Sequence, residues 1–127
     1  MNKAFTLIEI LIAIFVLSAA ILSAFALFSL TLKGNVSSKN LTLANNLAQA
    51  KIEESISFSY DDLINIPRQS YNNDFDWQIT IELMTIIDNE LQTTETDQGL
   101  KKITATIYWQ EKGTEKNKSL NMLKARH

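Results

Sequence analysis

No cysteine occurs in this sequence of 127 residues, and proline and histidine occur once each. Without cysteine there is no disulfide, thiol nucleophile, thiolate zinc site or lipoprotein acylation site. The single histidine is His127, so neither a zinc centre nor a nucleophilic triad has the parts it needs. A basic surplus is missing too: 12 Lys and Arg stand against 14 Asp and Glu. A dedicated nucleic-acid binder would carry a strong positive excess, so nucleic acid is not an expected partner. The length suits one domain, or one domain with an appendage, and excludes a large enzyme with separate substrate and cofactor domains. No repeat, phosphate loop or cofactor motif is present, and neither enzyme activity nor a cofactor is expected.

What the chain does have is unevenly placed. Only Lys3 and Glu9 are charged before Lys33, and the other 24 charged groups fall in the remaining three quarters. From Ile10 to Leu32 run 23 residues whose only polar members are Ser18, Ser23, Ser29 and Thr31. As a helix this span measures roughly 35 Å, enough to cross a hydrocarbon core of about 30 Å. Its hydroxyls can return their hydrogen bonds to carbonyls one turn back, at little cost in lipid. A helix apolar all round is too large to be covered by the rest of so short a chain. The expected arrangement is a single-pass helix in the cytoplasmic membrane with its N-terminus on the cytoplasmic side, the side that Lys3 favours. A cleaved secretory signal is the rival, with Ser18, Ala19 and Ala20 as its cleavage site. Its basic region would be minimal, and the apolar run continues well past that point.

Glu9 is the anomaly, a carboxylate at or just inside the membrane boundary that needs a partner. Lys3 and snorkelling toward the headgroups are the local answers. The stretch Lys3-Ala4-Phe5-Thr6-Leu7-Ile8-Glu9 resembles the processing signal of type IV prepilins and type II secretion pseudopilins. That signal is a short basic leader, a small residue, then Phe-Thr-Leu-Ile-Glu ahead of a long apolar helix. The resemblance implies that prepilin peptidase cuts between Ala4 and Phe5, and that the new amino group of Phe5 is methylated. It also implies that Glu9 pairs with the Phe5 ammonium of a neighbouring subunit and so sets axial register. The family normally has Gly before the cut, where this chain has Ala4. Many major pilins carry Pro or Gly within the span, where this chain has neither between Phe5 and Lys33. The implied partners are other pilin or pseudopilin subunits, prepilin peptidase, the assembly platform of a pilus or secretion system, and membrane lipid before assembly.

Beyond Gly34, residues 35–57 keep helical periodicity in two interleaved sets, Val36, Leu43, Leu47, Ala50 and Leu41, Ala44, Ala48, Ile52. Leu47 to Glu54 also resembles the equivalent helix of PilV-like and GspI-like minor subunits. Ser59 to Asp74 reads as a loop with a helical turn near Leu63 to Ile66. Phe75, Trp77, Ile79, Ile81 and Leu83 alternate with polar residues as a first strand, extended to Ile86 and Ile87 through a register change at Leu83-Met84. Asp88 to Gly99 closes it as a polar stretch. Ile103, Ala105, Ile107 and Trp109 mark a second strand, Gln110 to Asn117 a hairpin connection, and Leu120 and Met122 a third. The expected fold is α+β and pilin-like: a long N-terminal helix, transmembrane then amphipathic, packed on a three-stranded antiparallel sheet. Its core should join Trp77, Ile79, Ile81, Ile103, Ile107 and Trp109 to Ala48, Ile52 and Ile56. The expected divisions are a leader at 1–4, a membrane and filament-core helix at 5–33, and an extracytoplasmic head at 34–127.

Two charge clusters invite other readings. Asp74/Asp76 and Asp88/Glu90/Glu95/Asp97 lack the spacing and turn Gly of a calcium loop and read as solvated acidic loops, so no metal is expected. Lys112, Lys116, Lys118, Lys124 and Arg126 are interleaved with Glu111 and Glu115 and read as a solvated surface. The function expected is a minor pilin or pseudopilin of a type IV pilus, secretion or competence filament, first in the membrane and then in the filament. The alternatives are a single-pass anchored binding protein and a secreted enzyme, the latter disfavoured for want of a catalytic constellation.

Overall fold

The computed structural model describes residues 5–127. Its elements are one helix, α1 (Leu7–Ser57), a 3-10 turn (Tyr60–Asp62), and five strands, β1 (Ile66–Ser70), β2 (Phe75–Ile87), β3 (Glu90–Thr93), β4 (Leu100–Glu111) and β5 (Thr114–Ala125). The α+β class is as expected, but the sheet has five strands where three were expected. The chain divides into two compact units, Met1–Ser38 and Lys39–His127.

In the first unit α1 runs through Gly34 without interruption, although glycine costs a helix about 1 kcal/mol relative to Ala. Every side chain from Phe5 to Ser38 is exposed, apolar ones included. The hydroxyls do return to the preceding turn: Ser18 Oγ donates to the Ile14 carbonyl at 2.7 Å, Ser23 to Ala19 at 2.8 Å and Thr31 to Leu27 at 3.0 Å. This helix is long and apolar enough to cross a membrane.

In the second unit the helix buries one stripe, Ala44, Ala48, Ile52 and Ser55, spaced to fall on a single face. Ala44 and Ala48 join Leu63, Phe75, Ile79, Ile103, Ile107 and Trp109 in one core. Of the two interleaved sets read from the sequence, the one with Ala44, Ala48 and Ile52 faces the sheet. Val36, Leu43 and Ala50 are exposed and Leu47 is half-buried. Small side chains on the buried stripe leave room for the larger ones of the strands. Trp77, Ile81 and Ile56, expected in the core, pack half-buried at its margin.

The main path of the sheet is β1-β2-β4-β5, with β3 paired to β2. β2 follows β4 antiparallel from Phe75↔Trp109 to Leu83↔Lys101, then pairs with β3 from Met84↔Thr93 to Ile87↔Glu90. The changeover falls at Leu83-Met84, where the buried positions switch from the Phe75/Ile79 set to Met84. The expected polar closure at Asp88 to Gly99 therefore holds a strand. Asp88 and Asn89, at φ 51° and 69°, make a two-residue turn with both centres left-handed, the geometry that suits a hairpin. Lys112 and Gly113, at φ 51° and 77°, do the same between β4 and β5, so the connection is two residues rather than Gln110 to Asn117. The loop expected over Ser59 to Asp74 contains β1, with its helical turn at Tyr60–Asp62 instead of Leu63 to Ile66. Pro67 is tolerated there because β1 is an edge strand, and its register shifts between Ile66 and Gln69.

Candidate functional site

The start of α1 is the part of the chain with chemistry to explain. The Glu9 and Ile10 amides both donate to the Thr6 carbonyl, at 3.0 and 3.3 Å. The Glu9 amide also donates to Thr6 Oγ1 at 3.3 Å. In return Glu9 Oε2 accepts from the Thr6 backbone N–H at 3.1 Å and from Thr6 Oγ1 at 3.3 Å. This reciprocal arrangement is a capping box, with Thr6 as N-cap and Glu9 three residues on. It satisfies amide donors that a helix start leaves orphaned, and it places a carboxylate at the positive end of the helix dipole. Glu9 thus has a partner inside its own chain that none of the sequence readings named, although Thr-x-x-Glu ahead of an apolar run is its signature. Oε1 of Glu9 carries no hydrogen bond among the described residues. Phe5 is 78% exposed. Ala4, the other side of the expected cleavage, lies outside the described residues, as does Lys3.

The charge clusters of the head do not gather as groups. Asp76 pairs with Arg68 at 2.9 Å, and the same guanidinium reaches Glu115 at 2.9 Å and lies over the Tyr108 ring. Glu115 and Asp76 together hold the Arg68 pKa above its ordinary value. Asp97 accepts hydrogen bonds from the Tyr60 hydroxyl at 2.6 Å and the Gly99 amide at 2.8 Å, and pairs with Arg126 at 2.7 Å. Burial, then the bond to Asp97, pushes the Tyr60 phenol up to about 12. The Tyr60 hydroxyl and the Gly99 amide in turn hold the Asp97 carboxyl below its usual range. Asp88, Glu90 and Glu95 remain exposed. Among the described residues no three His, Asp or Glu side chains are grouped to hold a metal ion.

The basic cluster splits as well. Lys124 Nζ donates to the Ile56 carbonyl at 2.6 Å and to that of Phe58, capping the C-terminal end of α1 where a cation suits the dipole. Arg126 bridges Asp61 and Asp97. Buried Lys101 donates to the Tyr60 carbonyl at 2.8 Å and lies over its ring. Together these cations fasten the turn after α1 to the strands. His127 is exposed.

A capped helix start, followed by an apolar and exposed stretch from Leu7 to Leu32, fits a single-pass membrane anchor by length and composition. The comparison with known families narrows this. Residues 1–30 match the family described as prokaryotic N-terminal methylation motif. The match covers the start of the chain and bears out the resemblance to type IV pilins and pseudopilins, whose prepilin peptidase acts on this motif. No curated protein and no solved structure matched the chain.

Proposed function

We propose that the protein is a minor pilin or pseudopilin, a structural rather than catalytic subunit of a type IV pilus, type II secretion or competence filament. Prepilin peptidase cuts between Ala4 and Phe5, the Phe5 amino group is methylated, and the helix from Ile10 to Leu32 packs among like helices. The observation that carries this reading is the methylation motif over residues 1–30, set on a helix start whose apolar side chains the rest of the chain leaves exposed. The free Oε1 of Glu9 supports the register role: one oxygen holds the cap while the other can accept the Phe5 ammonium of a neighbour. In an apolar bundle such a pair attracts far more strongly than in water, and a wrong register leaves both charges buried and unpaired. A head without a disulfide favours a minor subunit over a major one. Before assembly the N-terminus is cytoplasmic and the head extracytoplasmic.

The intact mass of the membrane-extracted protein tests this. Loss of the four leader residues with gain of one methyl group is the expected result. Removal of about 20 residues would mean an ordinary signal peptide, and an unprocessed start would mean a plain anchored protein; either overturns the proposal.

A further inference from the structure

The two edges of the main sheet are finished differently. β1, at one edge, has 5 residues, contains Pro67 and shifts register between Ile66 and Gln69. Shortness, proline and a bulge each stop a further strand from pairing there, whatever its sequence. β5, at the other edge, has 12 residues, no proline and an unbroken register on β4 from Glu111↔Thr114 to Leu100↔Ala125. Among the described residues no strand pairs with its outer side. The two-residue turn at Lys112 and Gly113 makes Glu111↔Thr114 a hydrogen-bonded pair, so the even-numbered residues of β5 bond to β4. The bond from the Arg126 amide to the Gly99 carbonyl at 2.8 Å continues that alternation. The amides and carbonyls of Asn117, Ser119, Asn121 and Leu123 therefore face outward.

What β5 does carry is a pair of lysines. Lys116 and Lys118 share one side of the strand, as residues two apart do, and among the described residues neither has an ion pair. Met122, 44% exposed, lies further along the same side. A lysine on an edge repels a strand that sets a cation beside it and attracts one that brings a carboxylate. The β5 edge is thus selective, where the β1 edge is closed.

We propose that the open edge of β5 is a docking site for an extended, acidic segment of a partner protein, which joins the sheet as a further strand. Its backbone bonds to the outward groups of β5. Carboxylates at two alternate positions meet Lys116 and Lys118, and an apolar residue meets Met122. Main-chain bonds supply the affinity and the alternate side chains the specificity. A second copy of β5 is the wrong occupant: residues 112–126 hold five cations and one carboxylate, so two such edges side by side gather like charge.

The probe is an end-capped peptide, Val-Thr-Val-Thr-Glu-Thr-Glu, added to the full-length protein in detergent. It is expected to slow hydrogen exchange at the Asn117, Ser119 and Asn121 amides by about tenfold or more and to leave β1 unchanged. Lys116→Glu with Lys118→Glu weakens binding by about tenfold, and the same peptide with Lys in place of Glu binds only that variant. Asn121→Pro gives β5 what Pro67 gives β1: it removes an outward N–H, leaves the ladder to β4 whole and abolishes binding without lowering the melting temperature of the head. If that variant unfolds, the peptide methylated on every backbone nitrogen replaces it and is expected not to bind. No binding, indifference to charge reversal, or binding that survives both the proline and the methylated peptide overturns the proposal. So does protection of the same amides without peptide that fades on dilution, since a second copy would then cover the edge. None of these readouts depends on processing of the N-terminus.

Discussion

The two halves of α1 invert the usual relation between chemistry and burial. From Leu7 to Leu32 the helix is almost wholly apolar and wholly exposed, whereas from Lys39 to Ser57 it is rich in polar residues and buries a stripe against strands. Were water the only solvent, the first half would be the one to bury. Its side chains are instead matched to surroundings outside the chain, either lipid or the apolar helices of neighbours. The second half obeys ordinary globular rules. One continuous helix thus serves two solvents, and a substitution should have different consequences on either side of the divide.

The largest effect is expected from Ile107→Asp, which sets an unpaired carboxylate at a position with no solvent exposure. A cost of about 4 kcal/mol or more is comparable with the whole stability of a small domain. The head should become protease-sensitive while the chain stays in the membrane fraction; a protease-resistant head would break the division into two regimes. Next comes one substitution made twice. Ala48→Leu overfills the buried stripe at about 1–3 kcal/mol, lowering the melting temperature of the head by roughly 4–8 °C per kcal/mol. Ala20→Leu on the exposed apolar half should leave it unchanged, and equal shifts would show that the two halves share one packing environment.

A smaller effect sharpens the picture of the head alone. The Tyr60 phenol titrates above its ordinary value, at about 12, so the fold favours its neutral form. That stability is fully present below pH 10 and is lost as the pH climbs toward 12. Asp97 runs the other way: its lowered pKa gives stability above the usual carboxylate range that is lost as pH falls through its folded value. Tyr60→Phe should cost about 1 kcal/mol at neutral pH and flatten the alkaline limb of a melting-temperature profile. An unchanged limb would assign it to other groups. The smallest effect is local. Thr6→Val removes the cap and should speed hydrogen exchange at Glu9 and Ile10 by an amount equivalent to about 1 kcal/mol, with no change in head melting. Glu9→Gln keeps an acceptor for the cap but loses the charge. It should exchange like the native chain yet enter filaments poorly, which separates capping from register.

Elements with one wet and one dry face were legible in the sequence. β2 and β4 alternate because one side packs on α1, and the Leu83-Met84 slip showed because the apolar positions change parity there. The strands that went unread carry no such contrast. β1 contains Pro67 and is mostly exposed, and β3 is four exposed residues. β5 is long but mainly polar along its open edge, so only Leu120 and Met122 marked it. Their pairing is decided by turn geometry and by the neighbouring strand rather than by their own hydropathy. At the N-terminus the motif and its residues were legible as a resemblance. The Thr6–Glu9 cap is written in Thr-x-x-Glu, but two signals coincide on Glu9, a charge beside an apolar span and a hydrogen-bond acceptor in its own first turn.

The fastening of Lys124 to the carbonyls at the end of α1 also sets an order of events during synthesis. Lys124 and Ile56 are 68 residues apart, and a ribosome adding about 5–20 residues per second needs roughly 3–14 s to cover that distance. The apolar segment is therefore finished and available for insertion well before the last strand can lock the turn beneath the helix. The anchor has time to find its place before the head closes, and the head closes only once β5 has been made.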